Sequence, residues 1–152
     1  METITDRLKN PFDPRVVHWR VGATNAKKNN GVPTKGIALA YVNARDVMKR
    51  LDDVCGDNWQ VEYPFAGCCR IGIKIDNEWL WRSNGAGETD VEGEKGQFSD
   101  AFKRAAVLWG VGRYLYYLDN IWCDVDKYKK IANPPKLPNW ALPKPINQAQ
   151  QS

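Results

Sequence analysis

The chain has 152 residues, 43% of them hydrophobic, a net charge of +4 and an isoelectric point near 8.9. That is enough apolar content for one domain with a real core, and no stretch is long and apolar enough to read as a membrane span. The moderate basicity is compatible with a polyanionic partner without establishing one.

Four cysteines, Cys55, Cys68, Cys69 and Cys123, form no C-x-x-C pair. With no signal peptide in view, they are expected as reduced thiols of a cytosolic protein. His18 is the sole histidine and stands apart from every cysteine, so a zinc site is not expected.

In chain order, Ile4 to Lys9 is a short helix stopped by Pro11 and Pro14. Trp19 to Lys35 is polar and turn-rich and holds Arg20, Lys27, Lys28 and Lys35. It reads as a loop, either solvated or ordered by a ligand or a neighbour. Gly36 to Val42 is a strand or the lead into the next helix. Asn43 is a good N-cap, and Ala44, Val47, Met48, Leu51, Val54 and Cys55 recur at helical spacing until Gly56.

Three strands follow. Trp59, Val61, Tyr63 and Phe65 alternate with polar residues. Cys69, Ile71, Ile73 and Ile75 alternate with Arg70, Gly72 and Lys74. Asp76-Asn77 turns the chain into Glu78 to Ser83, which carries Trp79 and Trp81. The middle strand places Arg70 and Lys74 on one face, opposite the isoleucines, and that face is expected to be basic.

A glycine-rich connection, 84 to 96, leads to the longest predicted helix, Gln97 to Leu118. Its apolar stripe is Phe98, Ala101, Phe102, Ala105, Leu108, Trp109, Gly112 and Leu115, with Lys103 and Arg104 on the polar side. Gly110 and Gly112 each cost a helix roughly 1 kcal/mol relative to alanine. Inside the pattern they suggest a surface pressed close against the backbone. The lysine- and proline-rich remainder reads as a flexible end, with a strap to a neighbouring copy or an extra ligand contact as the alternative. The order of elements predicts an α+β fold: an antiparallel sheet packed on a long helix, preceded by an amphipathic helix.

Enzyme chemistry finds little footing. Gly85-Ala86-Gly87 lacks the lysine and hydroxyl residue that a phosphate-cradling loop needs. Asp90, Glu92, Glu94 and Lys95 come near a metal-dependent nuclease pattern, but a solvated acidic loop accounts for them better. Cysteine or serine nucleophiles would have only His18 as a base. Cations on a strand face, a helix face and the Arg20 to Lys35 loop, with seven tryptophans and six tyrosines, fit a groove that follows a single strand. Most of those aromatics are assigned to core or subunit interface; Tyr41, Tyr114, Tyr116 and Tyr117 are less clearly buried.

WRVG at Trp19 to Gly22, ALAYVNARDVMKRLDDVCGDNWQVEY at Ala38 to Tyr63 and SDAFKRAAVLWGVGRYLY at Ser99 to Tyr116 resemble the Rad-fifty-two family of single-strand annealing proteins, in its compact bacteriophage and prophage form. The similarity covers roughly residues 12 to 120, and D-x-x-K-R-A-x-x-x-x-G-x-G at Asp100 to Gly112 is its most specific piece. It implies a β-β-β-α core in a domain of residues 1 to 120, followed by a Pro/Lys-rich segment, 121 to 152. It also implies rings of about ten or more subunits. Single-stranded DNA would lie in a basic groove, held by its backbone, with no cofactor and no nucleotide hydrolysis, in the cytoplasm of a bacterial host.

By motif the groove maps onto Arg20, Lys95, Lys103 and Arg104, with Tyr41 beside it. Lys27, Lys28, Lys35, Arg70 and Lys74 complete the set expected to bind DNA. Val107 departs from the family, which often has an arginine there. A single-strand-binding protein or an exonuclease is a conceivable partner. The competing readings are a protein-interaction oligomer of the same fold and a metal-dependent nuclease.

Overall fold

The computed structural model of the chain describes residues 2–85 and 93–144, with side chains of 93–95 excepted. It consists of two compact units, one built from residues 1–10 with 43–113 and the other from 11–42 with 114–152. The class is α+β, with two antiparallel sheets.

In the first unit, helix α1 (Ile4–Lys9) starts in a capping box. The Asp6 amide donates to Thr3 Oγ1, and the Thr3 amide donates to the Asp6 carboxylate, both at 3.1 Å. Its far end is closed by Arg50, whose guanidinium donates to the carbonyls of Arg7, Leu8 and Asn10. Helix α2 (Ala44–Cys55) buries Val47, Leu51 and Cys55 and stops at Gly56. Both helices stand where the sequence pattern predicts them.

Strands β3 (Trp59–Glu62), β4 (Cys68–Ile75) and β5 (Glu78–Gly85) form an antiparallel sheet in that order. Two strands of the second unit, β1 (His18–Thr24) and β2 (Lys35–Tyr41), precede them in the chain. Asp76 and Asn77, at φ of +53° and +71°, make the two-residue hairpin turn between β4 and β5. Cys69, Ile71 and Ile73 are fully buried, and helix α3 (Gly93–Leu108) packs on β4 and β5. Phe102, Ala105, Ala106 and Trp109 are buried, and Trp109 Nε1 donates to the Ile71 carbonyl at 3.0 Å. A buried aromatic of that size is worth about 3–5 kcal/mol against alanine.

The opposite face of this sheet differs from expectation. Register sets Trp79 beside Lys74 and Trp81 beside Gly72, so both tryptophans share the outer face with Arg70. Trp81 lies flat over Gly72: a Cβ there would come within 2.9 Å of three ring atoms. The missing side chain makes room for an indole, which is why glycine interrupts the strand.

The long helix is shorter than its pattern predicts. It ends at Leu108, and the remainder continues as a 3-10 turn, Arg113–Tyr117. Gly110 takes φ +101°, while the amides of Val111 and Gly110 donate to the carbonyls of Ala106 and Val107 at 3.1 and 2.9 Å. That pairing is a Schellman motif with Gly110 as its left-handed residue. Gly110 does also meet a close neighbour, since a Cβ would fall 2.5 Å from Lys9 Cγ.

In the second unit, β1 (His18–Thr24), β2 (Lys35–Tyr41) and β6 (Ile121–Asp124) form an antiparallel sheet in the order β1-β2-β6. The stretch read as a loop from Trp19 to Lys35 is therefore a hairpin. Its first strand lacks a period-two signature because a register shift between Val21 and Thr24 breaks the alternation, and no residue of β1 is fully buried. Strand β6 carries no periodic signal in the sequence, because it is four residues long and exposes Ile121 and Trp122. No helix among the described residues is long and apolar enough to cross a membrane.

Candidate nucleic-acid interface

The hairpin of the second unit is charged with one sign only. From residue 14 to residue 45 the sequence holds six lysines and arginines and no carboxylate. That run was legible in the sequence and is a sharper signal than the net charge.

Arg20 projects from β1 as an exposed side chain and makes no ion pair among the described residues. It lines an open groove of about 540 Å³. One wall is Val17 and the start of β1, His18 to Val21, which brings His18 and Trp19; the other is Lys129, Lys130, Ile131 and Pro134. Strand β1 is an edge of its sheet, so the groove runs beside an edge. Tyr41 sits across the register from His18, with ring centroids 5.4 Å apart, and supports the aromatic end of that wall. The second wall comes from the segment read as a lysine- and proline-rich end; no motif marked Lys129 and Lys130 as groove residues.

Lys27 and Lys28 stand on a 3-10 turn, Ala26–Lys28, at the hairpin tip. The tip is ordered by its own atoms. Asn25 Oδ1 accepts the amides of Thr34 and Lys35 at 3.0 Å each, and Asn25 Nδ2 donates to Thr34 Oγ1 at 2.7 Å. Both lysines are exposed and neither forms an ion pair among the described residues. Lys35 differs, because Asp124 on the neighbouring β6 pairs with it.

The remaining expected residues lie in the first unit. Arg70 does not leave its sheet face simply basic: it pairs with Glu62 at 3.2 Å, directly across the register, and stacks over Trp81 at 4.5 Å. Lys74 is half-buried on the same face beside Trp79. On α3, Lys103 is half-buried and Arg104 is exposed, its Nε held by Asp100 at 3.2 Å one turn earlier. Lys95 belongs to α3, but its side chain lies outside the described residues. Arg82 and Arg113, which no motif singled out, serve the end of α3: both donate to the Leu108 carbonyl, and Arg82 stacks on Trp109 at 4.1 Å.

Among the described residues no group of three or more His, Cys, Asp or Glu is placed to hold a metal ion. Asp90 and Glu92, and the Glu94 side chain, fall outside them. The four cysteines are free thiols. Burial pushes the Cys69 thiol up to about 11, away from the thiolate that a nucleophile needs.

These features define a class: an antiparallel α+β protein with a surface groove walled by cations and aromatic rings. The chain belongs to the Rad52/22 family of double-strand break repair proteins, whose model matches residues 1–71 and 65–133. It is 34% identical to the single-stranded DNA-binding protein DdrA of Deinococcus radiodurans, over 94% of this chain and 69% of that protein. The DdrA protein of Deinococcus deserti is 32% identical, over 94% of this chain and 72% of its own length. No solved structure matches the chain significantly. Membership of the family agrees with the resemblance drawn from the motifs; these relatives do not bear on a bacteriophage origin.

Proposed function

We propose that the protein binds single-stranded DNA and anneals complementary strands in double-strand break repair, without nucleotide hydrolysis. The observation that carries this reading is the Arg20 groove, where Arg20 on one wall and Lys129 and Lys130 on the other stand with His18 and Trp19 on a surface open to solvent. Naming of the DdrA relatives as single-stranded DNA-binding proteins points the same way.

The physical basis is charge. Two bare strands repel each other, and cations that neutralise phosphates lower that barrier. Contacts to phosphate and sugar leave base edges available, so sequence is read by the incoming strand. Arg20, Lys129 and Lys130 are the principal phosphate contacts of this reading. Lys27 and Lys28 extend the track along the hairpin, and Lys95, Lys103 and Arg104 are the family-derived contacts. Lys35, Arg70 and Lys74 are secondary, the first two because each already has a carboxylate. Tyr41 acts by supporting His18. Assembly into rings of about ten or more subunits is part of the same reading and rests on the family resemblance.

The test is annealing of two complementary labelled oligonucleotides in EDTA with no nucleotide present. Acceleration that fades as salt rises from about 50 to 200 mM is the expected outcome. A protein that leaves the annealing rate unchanged at low salt does not have this function.

A further inference from the structure

The turn that carries Lys129 and Lys130 places a lysine where the backbone favours glycine. Residues Asp126 to Lys130 form a tight loop closed by an antiparallel bridge between Val125 and Ile131. The Lys129 amide donates to the Asp126 carbonyl and the Asp126 amide donates to the Lys130 carbonyl, both at 3.0 Å. Such a loop needs one left-handed residue, a position that favours glycine. Here it is Lys129, at φ +62°.

What holds a lysine in that conformation is the Asp126 side chain. Its Oδ1 accepts the amides of Tyr128 at 2.8 Å and Lys130 at 2.9 Å, fastening both ends of the tripeptide that contains the strained residue. Strain kept in place by surrounding bonds is a mark of function. A carboxylate beside a groove for a polyanion is also, on charge alone, unfavourable. Both oddities have one explanation.

We propose that Asp126 is a positioning residue that locks the Asp126–Lys130 turn so that Lys129 and Lys130 are held ready against the phosphates of a strand lying along Arg20. This rests on the reading of the groove as a single-strand site. It adds that the second wall is preorganised, and by an anion. Fixing two lysines beforehand removes the entropy that free side chains and a loose loop would lose on binding.

The test separates position from charge. Asp126→Ala removes a negative charge, so electrostatics alone predicts tighter binding to a fluorescent oligo-dT; positioning predicts weaker binding by about tenfold, with a salt slope shallower by about 1.4, two contacts at roughly 0.7 each. Asp126→Asn keeps the carbonyl acceptor and is expected to bind at least as well as the unaltered protein. Lys129→Gly relieves the left-handed strain, so Tm should hold or rise while affinity falls. Binding by Asp126→Ala as tight as the unaltered protein, or Asp126→Asn as weak as Asp126→Ala, overturns the inference. An unaltered protein that ignores oligo-dT overturns the groove reading itself, and this inference with it.

Discussion

Arg20 and Lys35 face similar solvent from adjacent strands, yet they should contribute unequally. Lys35 is tied to Asp124, and its charge is already answered within the sheet. Replacing Arg20 with alanine should weaken oligo-dT binding about tenfold and reduce the salt slope by about 0.7. The same change at Lys35 should alter affinity less than about threefold, because an exposed paired lysine gives little that the strand can use. Fluorescence titration at several salt concentrations separates the two. Cys69 offers a residue-scale test of the core. Its thiol lies near 11, against 9.0 for an ordinary one, chiefly through burial; the Tyr63 hydrogen bond acts in the opposite sense and Cys68 adds a little. The folded state therefore holds this proton more tightly than the unfolded chain. The stability it contributes is intact below about pH 9 and is lost as pH rises through about 11. Urea titrations between pH 8 and 11 should show a steeper decline for the unaltered protein than for Cys69→Ala.

Elements end and turn in this protein through a few side chains whose roles are local. Gly110 has both a left-handed backbone and Lys9 Cγ 2.5 Å from where a Cβ would stand. Gly110→Ala should cost about 2 kcal/mol or more in chemical denaturation, since strain and overlap act together. Arg50 holds three carbonyls at the end of α1, so Arg50→Ala should cost about 2 kcal/mol and free the first turns of the chain to proteolysis. At the hairpin tip, Asn25→Ala should speed amide exchange at Thr34 and Lys35 by about tenfold or more while leaving the global Tm nearly unchanged. Equal protection in that variant would mean the tip is held by something other than the Asn25 side chain.

At the scale of the whole molecule, function depends on where single-signed charge is concentrated. A net charge of +4 is small, and both signs are spread over the chain. The hairpin departs from that average, with four cations and no carboxylate between His18 and Tyr41. Removing Lys27 and Lys28 together should leave Tm within about 2 °C while flattening the salt dependence of strand binding by about 1.4. If the pair makes no phosphate contact, the slope will not move.

Much of the architecture was already written in periodicity. The isoleucines of β4 alternate without interruption, the α2 stripe is regular between Asn43 and Gly56, and Asp76-Asn77 is a strong hairpin signal, so those elements were legible. The motif at Asp100 to Gly112 carried the family. Tertiary structure decided the rest, because it depends on contacts between residues distant in sequence. A helical stripe cannot announce that Gly110 will end the helix. A strand's alternation cannot say that Trp81 will lie over Gly72, or that Glu62 will answer Arg70. Nor could any local pattern bring Lys129 and Lys130 beside Arg20, more than a hundred positions away. Periodicity reports which face of an element is apolar; the partner of the other face is chosen only when the chain has folded.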